Sequence, residues 1–197
     1  MLEFLISMAV SLLFILSLGI LLVNDWRWMM GLLALQYGGV TLLISQSWPL
    51  EIALVKVVAG WMAAAVLGVT YLNRSDHRVT GEPHEIPHPL FRSLLAVLAA
   101  LSIASFLPEA LKWFIGASRQ QVLGGLLLFG MGLIQVGLAV ESTRLIVGLL
   151  TVLSGFEVLY ATVEASVLMT ALLAINHIGL AFLGAYLLNI STLEAWE

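Results

Sequence analysis

Roughly seven predominantly apolar runs, each about 17–25 residues long, take up most of this 197-residue chain. They lie at approximately 4–23, 28–46, 50–72, 90–107, 121–140, 144–163 and 166–188. A run of that length crosses the hydrocarbon core of a bilayer as an α-helix. No water is available there to satisfy the backbone, so a span must be a helix or part of a closed barrel. Barrel strands alternate polar and apolar residues, and none of these runs does. Composition agrees, since only 10% of the residues are charged and 61% are hydrophobic, whereas a soluble domain is about a quarter charged. The expected fold is an all-α membrane protein of about seven transmembrane helices.

The turns order these spans. Asn24-Asp25, Ser47-Trp48-Pro49 and Glu141 to Arg144 are connections short enough to force antiparallel neighbours. Trp26, Trp28, Trp48, Trp113 and Trp196 fall at span ends, where indoles prefer to sit, and Trp61 alone lies mid-span. The segment Asn73 to Pro89, with Pro83, Pro87 and Pro89, is a linker. Pro108 to Gln120 is a second break, whose Leu111, Trp113, Phe114 and Ile115 suit a short helix along the membrane surface. Three units result: 1–72 as a first three-helix unit, 73–120 as a cytoplasmic linker, fourth helix and interfacial segment, and 121–197 as a second three-helix unit. A shift of about 117 positions lays the first triplet on the last, with Gly31-Leu32-Leu33 on Gly148-Leu149-Leu150 and Gly38 on Gly155. Two parallel triplets joined by an extra helix, or a chance likeness of apolar helices, would both give this match.

Arg27, Arg74, Arg78, Arg92 and Arg144 fall on one side of the seven-span arrangement, and Lys112 and Arg119 on the other. The basic side is expected to be cytoplasmic, with the N-terminus outside and the C-terminus inside. The first run follows Glu3 rather than a basic segment and reads as a retained span, not a cleaved signal. The absence of cysteine excludes disulfides, thiolate-held zinc and iron–sulfur clusters. No basic patch is extensive enough for nucleic acid. No phosphate loop, dinucleotide fingerprint or hydrolase motif occurs. A catalytic centre and a resident cofactor are therefore not expected in this chain.

Chemistry is expected instead from polar groups placed inside the spans. Glu157 lies within GLLTVLSGFEVLYATVE, residues 148–164, roughly 20 Å along the helix from Arg144 at 1.5 Å per residue. A carboxylate at such depth carries an insertion penalty of about 2.5–3.5 kcal/mol and is read by default as functional. Desolvation favours the neutral acid and a neighbouring cation favours the carboxylate, so a group held between the two can take up and release protons. The alternative is a glutamate that only ties helices together. Lys56 lies about 9 Å inside the third span. It either snorkels back to the surface or pairs with Glu157 or another polar residue across the bundle. Asn176 and His177 sit near the centre of the last span, where histidine suits a proton relay or a simple interhelical hydrogen bond. Gln36 and Gln135 can bridge helices or hold water. Glu164 is either the mouth of a path or a solvated end residue. His77, His84 and His88 stand in the proline-rich linker and read as a solvated loop rather than a metal site.

Gly155-Phe156-Glu157 resembles the Gly-Leu-Glu of the second helix of NADH-quinone oxidoreductase subunit K, and LLAINHIGLAFLGAYLL, residues 172–188, resembles that family's third helix. The longer chain is similar to component E of hydrogenase-4-type complexes, a subunit K relative with added helices, where a lysine followed by valine and leucine in an early span resembles Lys56-Val57-Val58. The resemblance to subunit K covers roughly residues 121–188. It implies a subunit of a proton-translocating complex in which Glu157 lies on the intramembrane proton axis. It also implies antiporter-like and other membrane-arm partners, with redox cofactors held by peripheral subunits. The family's second glutamate, in the third helix, is replaced here by the stretch Ile175-Asn176-His177. An energy-transducing membrane, of the prokaryotic plasma-membrane type, is the expected location.

Overall fold

The computed structural model describes residues 2–73 and 88–193, with side chains described for 6–73 and 88–190. Within them the chain forms seven helices: α1 (Leu2–Leu22), α2 (Trp26–Ile44), α3 (Leu50–Asn73), α4 (Pro89–Trp113), α5 (Arg119–Gly137), α6 (Ser142–Tyr160) and α7 (Val167–Leu193). No strand occurs among the described residues. Five helices, α3 to α7, are long and apolar enough to cross a membrane, and Ile6–Leu22 of α1 is a shorter apolar helix. The remaining helix, α2, carries Arg27, Gln36, Tyr37 and Thr41, and packs against α1, α3, α5 and α6. The all-α membrane architecture expected from the sequence is the one observed.

Local chemistry sets the helix starts. The Asp25 carboxylate accepts the Arg27 N–H at 2.9 Å at the head of α2, and Ser118 Oγ accepts the Gln121 N–H at 3.1 Å at the head of α5. Such caps satisfy amides that have no intrahelical partner. Pro89 opens α4 at a position where a missing N–H is harmless, and His88 Nδ1 accepts from the Leu90 amide at 3.3 Å. Gly116, with φ of 89°, supplies the left-handed residue in the reversal from α4 to α5.

The fourth helix corrects one expectation. It does not stop at Pro108 but continues through it to Trp113, so Leu111 and Trp113 belong to α4 and form no separate surface helix. Leu107 and Ala110 are buried against Val122 of α5, with Leu111 and Phe114 packed beside them. That burial holds the last turns in place although proline removes one backbone bond, a defect that membrane helices tolerate. Of the linker, Asn73, His88 and Pro89 lie within the described residues, Asn73 as the last residue of α3 and Pro89 as the first of α4. His77, His84, Trp196 and the arginines at 74 and 78 lie outside them.

Interhelical contacts show that successive helices run in opposite directions. Arg144 at the start of α6 bonds to Asn24 after α1, and Ser47 after α2 bonds to Gln121 at the start of α5. One end of the bundle therefore carries the starts of α2, α4 and α6 with Arg27, Arg92 and Arg144, while Lys112 and Arg119 lie at the other. Each helix of the first triplet packs on its counterpart in the second: α1 on α5, α2 on α6, α3 on α7. Helix bounds in the two triplets coincide to within three residues after a shift of 117. This is the neighbour pattern of two like-oriented triplets facing one another across an axis along the bundle. The fourth helix packs outside, against α5 and α1. Two apolar clusters fill the interior, one around Leu33, Leu67 and Leu150, the other around Leu43, Ala53 and Val158.

Candidate functional site

Between those two clusters lies a polar layer. Lys56 follows Ala53 of one cluster and precedes Ala63 of the other along α3, and Glu157 on α6 stands between Leu150 and Val158 in the same way. The Lys56 Nζ–Glu157 Oε1 separation is 2.5 Å, and both side chains are 1% exposed. Lys56 therefore does not snorkel; it reaches inward to the glutamate. His177 of α7 joins them, with Nδ1 3.3 Å from the same Glu157 oxygen and 3.0 Å from the Leu173 carbonyl. Both neighbours of Nδ1 are acceptors, so Nδ1 carries a hydrogen and donates. Tyr37 of α2 closes the group, its ring edge-on to His177 at 5.4 Å. The ring occupies the space that a side chain at Gly60 would need, so the glycine lets the phenol approach α3.

A buried charge is tolerated only when paired and hydrogen-bonded. The charges of Lys56 and Glu157 meet that condition, yet two polar atoms around them do not. Glu157 Oε2 and His177 Nε2 are buried with no protein hydrogen-bond partner, and buried Tyr37 Oη has only Ser154 beside it. Buried polar atoms of this kind are ordinarily met by water. The layer thus joins one ion pair, one imidazole and one phenol with unused capacity to donate and accept.

A second polar series leads from this layer toward the arginine-bearing end. Ser154 and Thr151 lie buried on α6, before Glu157 in the chain. Gln36 Nε2 donates to Thr151 Oγ1 at 3.4 Å, Ser17 Oγ donates to Gln36 Oε1 at 3.3 Å, and Gln135 Nε2 donates to the Ser17 carbonyl at 3.1 Å. Gln135 then lines a cleft with Arg92 and Arg144. The series runs through α1, α2, α5 and α6, the four helices that meet in the middle of the bundle.

The sequence candidates thus separate. Lys56, Glu157 and His177 come together, and Gln36 and Gln135 join the series beside them. Asn176 and Glu164 do not. Asn176 is exposed on the outer face of α7, and Glu164 is exposed beyond α6, where its carboxylate accepts from Tyr160 Oη at 3.2 Å and its carbonyl from Trp48 Nε1 at 3.1 Å. Sequence reasoning missed Tyr37, Ser17, Thr151 and Ser154. The only signal for Tyr37 was a phenol mid-span beside Gln36. Among the described residues no group of histidines and carboxylates has a metal-binding arrangement.

The correspondence between the two triplets does not extend to this layer. Under the 117-residue shift, Glu157 corresponds to Val40, His177 to Gly60, Lys56 to Leu173 and Tyr37 to Ser154. Each triplet contributes two members, and neither contains the set. Gly155 fixes the placement of Glu157 further. A side chain there would run into the backbone of Phe129 and the Gly125 carbonyl, so its absence lets α6 lie directly on α5.

Comparison with family models, with characterised proteins and with solved structures finds no match to this chain.

Proposed function

We propose that this chain is an integral membrane subunit of an energy-converting, proton-translocating redox complex of the complex I-like, membrane-bound hydrogenase-like or Mrp-like kind. Lys56, Glu157 and His177 would contribute its protonatable groups to a path through the membrane arm. The observation that carries this reading is the burial of an ion pair and a histidine together between two apolar clusters. Ionisable groups in membrane helices are expensive, and they mark ion and proton pathways.

In this reading a proton reaching Glu157 cancels the charge that holds Lys56, and its departure restores the pair. His177 Nδ1 is hydrogen-bonded to the Leu173 carbonyl and lies 3.3 Å from Glu157 Oε1, and its Nε2 can exchange a proton on the far side of the ring. The series Thr151, Gln36, Ser17 and Gln135 supplies hydroxyls and amides that order water toward the arginine-bearing end, which is taken as cytoplasmic. Redox cofactors belong to the partner subunits, and antiporter-like subunits are the membrane neighbours.

A free-standing secondary cation or proton transporter is the second reading, favoured by the two facing triplets. Gentle-detergent affinity purification from native membranes, with mass spectrometry of what co-purifies, separates them. Co-purification of antiporter-like and redox subunits is expected. Recovery of the chain alone, with proton or cation flux in liposomes, would instead establish the transporter.

A further inference from the structure

Two arginines share a cleft at the end of the bundle away from the ion pair. Arg92 stands in the first turn of α4 and is 3% exposed; Arg144 stands in the first turn of α6 and is half-buried. Both turn to the same loop. Arg92 Nη1 donates to Asn24 Oδ1 at 3.4 Å, while Arg144 Nη2 donates to that oxygen at 3.0 Å and to the Val23 carbonyl at 2.8 Å. A guanidinium has five N–H donors, and Arg92 uses one of them, in a long bond. No carboxylate lies within 4 Å of either guanidinium among the described residues, although Asp25 and Glu141 are close in sequence.

Among the described residues the only full charges here are the two guanidiniums, and the negative ends they meet are dipoles, the Asn24 amide oxygen and the Val23 carbonyl after α1. Two like charges approach one another through one amide oxygen, and both sit at helix N-termini, where the backbone dipole is already positive. A buried cation without a counter-charge is strongly unfavourable. The rest of the cleft is Gln135 and apolar side chains, among them Ile20, Leu21, Leu138 and Val140. Gln135 Oε1 is buried and has no protein partner, so it is free to accept from a hydroxyl. Paired guanidinium forks match a phosphate. Basic pockets between membrane helices bind anionic headgroups in this manner.

We propose that the Arg92–Arg144 cleft binds a phosphate group, carried by an anionic membrane phospholipid. The site does not include the ion pair, and it shares only Gln135 with the polar series of the proton-path reading.

The test uses the full chain, delipidated in a neutral detergent and titrated with phosphatidylglycerol, phosphatidylcholine or inorganic phosphate. Native mass spectrometry reads the binding, and thermal unfolding reads the effect on stability. Phosphatidylglycerol is expected to bind and to raise the unfolding temperature more than phosphatidylcholine does. Arg92→Gln and Arg144→Gln are each expected to weaken that binding by about tenfold or more. Arg27→Gln, at the same end but outside the cleft, is expected to leave it unchanged. Equal response of the native chain to the two lipids would overturn the proposal without recourse to any variant. Unchanged binding in both cleft variants would also overturn it. Inorganic phosphate that competes as tightly as the lipid would overturn the lipid assignment and leave a free-anion site.

Discussion

Removal of Lys56 alone should damage the protein more than removal of Lys56 and Glu157 together. The ion pair is 2.5 Å long with both side chains 1% exposed. Among the described residues no other lysine or arginine lies within ion-pair distance of Glu157, and only the His177 imidazole is close. Lys56→Met therefore leaves an uncompensated carboxylate in the interior, a change worth about 3–5 kcal/mol of lost stability. For a chain of this size that is a fall of roughly 6–20 °C in unfolding temperature. Glu157→Leu strands the lysine in the same way. The double variant Lys56→Met with Glu157→Leu removes both charges and fills the layer with apolar volume, an exchange that is about neutral or even stabilising. Its unfolding temperature should return close to that of the native chain, because His177 Nδ1 keeps the Leu173 carbonyl. Intrinsic tryptophan fluorescence in a single detergent, heated in parallel for all four proteins, gives the complete cycle. Single variants as stable as the native chain, or losses that simply add in the double variant, would refute the reasoning.

Four further outcomes follow from the structure. Gly60→Ala forces the Tyr37 ring off α3 and should lower stability by about 1–3 kcal/mol, as overpacking does; an unchanged unfolding temperature would show that the ring has room to move. Gly155→Val should be more severe, since its side chain meets the Phe129 backbone, and reduced yield of folded protein on size exclusion is the readout. Trp48→Phe loses the hydrogen bond to the Glu164 carbonyl, worth about 1 kcal/mol in the same thermal assay, whereas Asn176→Leu, on the exposed face of α7, should leave the isolated chain's stability within about 0.5 kcal/mol.

Hydropathy made the fold legible because a membrane span must be long, apolar and helical. Helix positions and alternating directions followed from run length and short turns. Pro108 misled, since proline reads as a stop, while the continuation of α4 depends on Leu107 and Ala110 finding Val122 on another helix. The cost of a carboxylate in hydrocarbon singled out Glu157, but not its partner. Whether Lys56 turned inward depended on the rotation of α3 against α6, which a uniformly apolar helix does not encode. His177 and Asn176 are adjacent, and one helical step separates a buried side chain from an exposed one. Tyr37 became visible only through Gly60, a glycine whose purpose lies on a neighbouring helix.

The most direct test of the proton-path account is translocation by the assembled complex carrying Glu157→Gln, an exchange of nearly equal size that cannot carry the charge. Membrane vesicles from the variant, with assembly checked on native gels, would be driven by the complex's own redox substrate while a pH-sensitive dye reports proton uptake. The account predicts an assembled complex whose proton translocation is lost or strongly reduced. An assembled complex that still pumps at the native stoichiometry would contradict it.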